Sequence, residues 1–486
     1  MDRRGAADTG SGYCLKDFAI GWAARKGSAV AEREVVYLSE VVGALSFALD
    51  ITEGQPVGHS LRCCWIGMHL GMRLGLSQAE LSDLYYTLLL KDIGCSSNAA
   101  RICQLYLADD LSFKSNYKVV DTKLPEILRF LIANTGRRSG FVERLQTLVH
   151  IARNGGEISK ELIETRCQRG AVIARSMRFS EAVAQGILDL DEHWDGSGQP
   201  VELEGEAISL FARIALLAQV VDVFFMRGGA KAALAEVTER SGRWFDPQLV
   251  ALLAGMIDDA GFWQAMLSND LHERVMGLEP RALTRAVDED YLDDIAAGFA
   301  QVVDAKSPFT AGHSDRVALF TDLIAEEMGY APERRRWLKR AALLHDIGKL
   351  GVSNSVLDKN GKPDDDEWAE IKRHPELGRV ILSKIAAFQD MARIAGDHHE
   401  KLNGRGYPHG IKADAIDLDT RIVTVADIFD ALTADRPYRK AMPVSAAFEI
   451  MEKEVGSGLD PDVFAALRRG FMRLEDVAGS EGERAA

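Results

Sequence analysis

Seven residues of this chain have the type and spacing to hold metal: His313, His345, Asp346, His374, His398, His399 and Asp427. They span about 115 residues and take five of the chain's eleven histidines. Imidazole and carboxylate donors suit Fe or Mn, and also Zn, Ni or Co, and a carboxylate can bridge two ions. His345-Asp346 closes an apolar helix, so both side chains can face one cavity mouth, and His398-His399 delivers two nitrogens from one helix end. Taken singly, a His-Asp pair at a helix end is more often a hydrogen-bonded pair or a cap. Seven N/O donors together exceed the needs of one tetrahedral ion and fit a pair of ions about 3.5–4 Å apart, the arrangement that activates water and stabilises phosphoryl oxygens.

The first half of the chain repeats the frame and supplies an internal comparison. Gly-His59-Ser-Leu-Arg and Gly-His313-Ser-Asp-Arg differ by 254 in position, as do Asp92 and Asp346; from Leu190 against His398 onward the offset is 208, because the first copy carries 46 more residues near 100–150. Copies this long indicate a duplicated domain, since solenoid repeats are far shorter. In the first copy His345 is matched by Lys91, His374 by Arg166, His398-His399 by Leu190-Asp191 and Asp427 by Gln219. Only His59 and Asp92 keep metal-ligand types, and two donors cannot hold a metal pair. The first copy is therefore expected to be catalytically inactive, with Asp346→Ala abolishing activity and Asp92→Ala leaving it largely intact.

Composition sets the bounds. At 486 residues, 47% hydrophobic and 27% charged, the chain reads as two globular domains of ordinary composition. No apolar run reaches the roughly 18 residues that span a bilayer. The six cysteines all precede residue 168 with no metal-like spacing, and the start lacks a signal-peptide core, so a cytoplasmic location is expected. A net charge of -15 argues against bulk nucleic acid as a partner. A small anionic nucleotide stays admissible, because metal ions and a few cations can neutralise it locally.

The elements that must position these residues read as helices. Apolar residues recur at three- and four-residue intervals over 35–49, 76–90, 292–303, 317–327 and 335–344, and few segments alternate as strands do. An all-α fold of two tandem helical bundles is expected: a flexible segment 1–33, a first domain 34–270, a connecting helical segment 271–306, a second domain 307–474 and a flexible tail 475–486. Gly136-Arg-Arg-Ser-Gly140 within the insertion reads as a surface loop.

The second copy resembles the HD-GYP family, a branch of the HD-domain metal phosphohydrolases. The resemblance is carried by Gly312-His313-Ser314, Leu344-His345-Asp346-Ile347-Gly348-Lys349, Ile371-Lys-Arg-His374-Pro-Glu-Leu-Gly378, His398-His399-Glu400 and Asn403-Gly-Arg-Gly406-Tyr407-Pro408. It continues through Arg421-Ile-Val-Thr-Val-Ala-Asp427, Phe429-Asp430-Ala431-Leu432-Thr433 and Arg436-Pro437-Tyr438-Arg439. The first copy resembles the same family as a degenerate relative. The resemblance implies a phosphodiesterase that hydrolyses cyclic di-GMP to linear pGpG and onward to GMP, using two divalent metal ions. Asp346 would bridge the ions, His313, His345 and Asp427 would complete one, and His374, His398 and His399 the other. Lys349 would act with Asp346 in catalysis and reach a phosphate; Arg436 and Arg439 would clamp the second phosphate or a guanine edge, and Tyr438 would stack or hydrogen-bond. Tyr407 would shape the pocket or touch another protein. Members with a third metal carry a glutamate four residues before the first histidine. This chain has Phe309 there, which implies two metals and a product that favours pGpG.

Two other readings are carried forward: a non-enzymatic cyclic-dinucleotide-binding protein, and an HD phosphohydrolase acting on another nucleotide. Cyclic GMP-AMP competes with cyclic di-GMP as the ligand. The first domain, or the Gly-Tyr-Pro loop, is a candidate surface for a homodimer or protein partner.

Overall fold

The chain, seen in a computed structural model, is described over residues 36–117, 124–137, 140–280, 283–435 and 439–484. Among these residues it is helical throughout, with isolated β-bridges and no extended strands. Two helix sets follow one order. Leu38–Thr52, His59–Arg73, Gln78–Leu90, Glu181–Leu188 and Leu210–Glu239 in the first half correspond to Glu289–Asp304, His313–Glu327, Pro332–Leu344, Gln389–Asp397 and Leu418–Thr433 in the second. Glu289–Asp304, within the segment 271–306 expected as a connector, opens the second set and matches Leu38–Thr52.

Local sequence explains where helices begin. Ser77 and Glu80 form a reciprocal capping box before Gln78–Leu90, Asp364 and Glu367 do so before Asp365–Ile371, and Pro332 opens its helix where no N–H is needed. The Gly-His-Ser motif has a structural reason in both halves. Gly58 and Gly312 precede their helices in the left-handed region, at φ 84° and 66°, which favours glycine. Ser60 and Ser314 then donate from backbone N–H and hydroxyl to Asp50 and Asp304 on the preceding helix.

The apolar core runs without a break through both halves, from Leu38 and Phe47 through Phe299 and Val303 to Phe429 and Leu467. The opening helices join it. Leu38–Thr52 packs against the one-turn segment Ile347–Gly351 and the helix His374–Leu382 of the other half, while Glu289–Asp304 packs against the long helix Phe141–Ser176. The insertion is mostly helical, with Asp110–Tyr117, Leu124–Asn134 and the start of Phe141–Ser176 burying a small core of Ile102, Leu105, Tyr106, Phe113, Ile151 and Ile158. Of the expected loop, Arg138 and Ser139 lie outside the described residues. Asp110 also bonds across to the second half: its carboxylate accepts from Asn354 N–H at 2.8 Å and Ser353 Oγ at 3.1 Å, and lies 3.4 Å from the buried Lys306 ammonium.

Candidate metal centre

Four helix ends of the second half converge on one buried point. His313 opens its helix, His345 and Asp346 follow Pro332–Leu344, His374 opens His374–Leu382, and His398 and His399 follow Gln389–Asp397. Asp427 enters from the interior of Leu418–Thr433. The structure brings all seven candidate donors together as two sets around Asp346. His313, His345 and Asp427 form one group with donor atoms within 4.8 Å of one another, and His374, His398 and His399 form another. The two Asp346 oxygens face opposite ways. Oδ2 lies 3.2 Å from His313 Nε2 and 3.4 Å from His345 Nε2, whereas Oδ1 lies 3.3 Å from His374 Nε2 and 3.7 Å from His398 Nε2.

The imidazole tautomers are set by groups around the centre. His345, His374 and His398 each donate from Nδ1 to the carbonyl three residues earlier, at 2.6, 2.7 and 2.8 Å. His313 Nδ1 lies 2.6 Å from Asp430, which Arg316 holds from the other side through Nε and Nη2. In His345, His374 and His398 this leaves Nε2 to present a lone pair inward, the usual result of such supporting hydrogen bonds, while His313 Nε2 lies 3.2 Å from Asp346 Oδ2. The repeated motifs include Arg316 and Asp430 without assigning either a role. Their signal was present in Gly-His-Ser-x-Arg, because Arg62 grips Asp222 in the same way in the first half.

The donor set fits cations. His374 Nε2 and His398 Nε2 stand 3.3 Å apart although both protons are committed to Nδ1, so two lone pairs face each other. His345 Nε2 and Asp346 Oδ1 are buried with no hydrogen-bond partner. Groups left this way are costly in a protein interior unless a positive charge takes them up. Electrostatics agree: burial drives the His398 imidazole down to about 3, helped by the neighbouring His345 and His374, and lowers His399 for the same reason, so both are neutral. Against the penalty of burial, Lys349 and His345 hold the Asp346 carboxyl well below its usual range, and His345 and His313 lower that of Asp427. A pair of divalent ions held here would supply Lewis acidity and an acidified water.

The remaining expected site residues divide. The Lys349 ammonium is paired with Asp346 Oδ2 at the solvent edge of the centre. Tyr407 stacks on His399 with ring centroids 4.7 Å apart, and its loop is held by Glu400, which accepts from His409 N–H at 2.6 Å and Gly410 N–H at 2.9 Å. Gly406 has to be glycine, since a Cβ there would lie 2.4 Å from both Glu400 Cα and Lys401 N. The Arg439 guanidinium donates to the carbonyls of Ala431, Leu432 and Lys440 and so closes the end of Leu418–Thr433. Arg436 and Tyr438 lie outside the described residues.

In the first half the corresponding place is filled by the chain's own cations. The Lys91 ammonium, on a residue only 2% exposed, pairs with Asp92 and lies 3.1 Å from His59 Nε2 and 3.4 Å from Gln219 Oε1. These three are the counterparts of Asp346, His313 and Asp427. Arg166, in place of His374, pairs with Asp191, in place of His399, and buried Leu190 replaces His398. The equivalence holds at the backbone too: a Cβ on Gly94 would meet Arg166 O at 1.9 Å, and one on Gly348 would meet His374 O at 1.9 Å. Donors do cluster nearby, as His59, Cys63 and Asp222 and as Glu53, Asp92 and Cys95. Arg62, Lys91 and Lys114 already balance the carboxylates, and burial pushes both thiols well above their usual range. Fixed side-chain cations thus stand in the first half where the second half gathers imidazole and carboxylate donors.

Comparison with known proteins agrees with this geometry. The profile of the family described as HD domain matches residues 128–249 and 299–463, one stretch in each half. The chain is 54% identical over 439 residues to the 3'3'-cGAMP-specific phosphodiesterase 3 of Vibrio cholerae serotype O1, covering 90% of this chain and 95% of that protein. It is 37% identical over 215 residues, 44% of this chain and 57% of the relative, to the cyclic di-GMP phosphodiesterase response regulator RpfG of Xanthomonas campestris pv. campestris. The crystal structure of the cyclic GMP-AMP specific phosphodiesterase V-cGAP3 of V. cholerae is similar with a TM-score of 0.62 and 49% identity, over 90% of this chain and 98% of that one. No helix among the described residues is long and apolar enough to cross a membrane. With the family profile present in both halves and one similar relative matched along nearly its whole length, the chain belongs to the HD-domain family, in its HD-GYP branch, with a degenerate first copy.

Proposed function

We propose that this protein is a metal-dependent phosphodiesterase that opens a cyclic dinucleotide to its linear form, acting on 3'3'-cGAMP in preference to cyclic di-GMP. The observation that carries the reading is Asp346, whose two oxygens face two separate donor triads in the second half. The substrate preference is supported by the extent of likeness to the cGAMP-specific relative, against the shorter match to the cyclic di-GMP enzyme.

In this reading His313, His345 and Asp427 hold one ion and His374, His398 and His399 the other, with Asp346 shared. Fe and Mn suit these donors best. The Nδ1 hydrogen bonds keep the imidazoles in the ligating tautomer, and Asp430 orients His313. Lys349 keeps a positive charge at the solvent edge, where an incoming phosphodiester meets the site. Phe309 offers no ligand, so hydrolysis is expected to favour the linear dinucleotide over mononucleotides. The first half, with its site closed by Lys91 and Arg166, turns over nothing.

The test is product chromatography on purified protein reconstituted with Mn or Fe(II) under reducing conditions, given 3'3'-cGAMP and cyclic di-GMP side by side. Faster conversion of 3'3'-cGAMP to a linear dinucleotide is the expected result. Binding without turnover of either would support a receptor instead, and a preference for cyclic di-GMP would reverse the substrate assignment.

A further inference from the structure

We propose that Trp368 is the platform on which one purine base of the substrate stacks, an inference that rests on the cyclic-dinucleotide reading above. An aromatic path leads out of the metal centre. His399 is covered by Tyr407 at 4.7 Å between centroids with planes 30° apart, and Tyr407 meets Trp368 edge-on at 5.8 Å and 72°. The first two rings are largely covered, Tyr407 by its loop and by His399. Trp368 is 42% exposed, so it is the ring on this path that offers a face to solvent.

Its mounting suits a platform. Trp368 lies in the helix Asp365–Ile371, whose start is fixed by the Asp364–Glu367 capping box, and its N–H is bonded to the Asp364 carbonyl at 2.8 Å. Lys372, four residues on, caps the same helix and adds a positive charge to this segment, which favours an anionic ligand. Three residues after the helix comes His374, so the segment that presents the indole also presents a candidate metal ligand. A phosphodiester bound at the centre carries a base on each side, and base–aromatic stacking is tolerant of base identity because every base has a π-face. Trp368 would therefore contribute affinity for cyclic dinucleotides in general, leaving the choice between adenine and guanine to other groups.

The experiment uses the full chain and three substrates: 3'3'-cGAMP, cyclic di-GMP and methyl p-nitrophenyl phosphate, a phosphodiester without a base. In Trp368→Ala the KM for both cyclic dinucleotides is expected to rise roughly 5- to 150-fold, the range that loss of one stacked base covers. Both kcat and turnover of methyl p-nitrophenyl phosphate should hold, and Trp368→Phe should restore most of the affinity. Titration of metal-free protein with 3'3'-cGAMP should quench tryptophan emission in the parent chain and not in Trp368→Phe. An active parent chain with an unchanged KM in Trp368→Ala overturns the stacking role alone. Failure of the parent chain to hydrolyse or bind either cyclic dinucleotide overturns the functional reading and the platform with it.

Discussion

Replacing Lys91 by methionine tests whether the first half substitutes a side-chain cation for metal. The Lys91 ammonium and the Asp92 carboxylate are paired at 2% and 0% exposure, with His59 and Gln219 beside the ammonium. Methionine keeps much of the length of the side chain and removes the charge, so the buried Asp92 carboxylate loses the Lys91 ammonium that pairs with it. Breaking a buried pair from one side costs about 3–5 kcal/mol, whereas replacing both members by neutral groups is often neutral or stabilising. Lys91→Met is therefore expected to lose about 3–5 kcal/mol, and Lys91→Met/Asp92→Asn to regain most of it. Denaturant unfolding in EDTA measures both, because the chelator removes metal from the second half and leaves the side-chain pair intact. Turnover per folded, metal-loaded molecule should stay within about twofold, since neither residue belongs to the second-half centre. Asp92→Ala alone should likewise spare turnover while costing stability, a consequence of the pairing that the sequence did not show. Full stability of Lys91→Met, or a double variant no better than the single one, would refute the reasoning.

Outcomes are also expected for four other variants. Asp346→Ala should abolish turnover and lower the metal content seen by elemental analysis, while Asp430→Asn, which weakens the carboxylate that orients His313 and pairs with Arg316, should cost about 10- to 100-fold in metal affinity or activity. Asp110→Asn should destabilise the full chain by about 3–5 kcal/mol in denaturant unfolding at neutral pH, because Lys306 is 1% exposed and loses its charged partner. Although burial opposes the charge, Lys306 and Lys114 hold the Asp110 carboxyl below its ordinary 3.8, so this contribution is present above that pH and is lost as pH falls through the lowered value; the gap between parent and variant should narrow in acid. Arg439→Ala should lower stability by about 1–3 kcal/mol through lost bonds to helix-end carbonyls, with less than about threefold change in KM; a large rise in KM would return Arg439 to the substrate.

The helical class, the duplication and the candidate donors that the fold brings together could all be read from the chain. Helix periodicity and caps such as Ser77-x-x-Glu80 are local, and the unequal pair of sites follows from types alone, His345 against Lys91 and His374 against Arg166. Spacing in the chain carries no information on which oxygen of Asp346 faces which histidine, since the ligands arrive on helices far apart in sequence. The same holds for Asp110, which leaves the insertion to meet Ser353 and Asn354, and for the single core shared by both halves. Composition could show that the first site lost its ligands. Only tertiary packing decided that Lys91 and Arg166 fill it, because a long side chain's reach fixes nothing until burial leaves it one carboxylate to pair with.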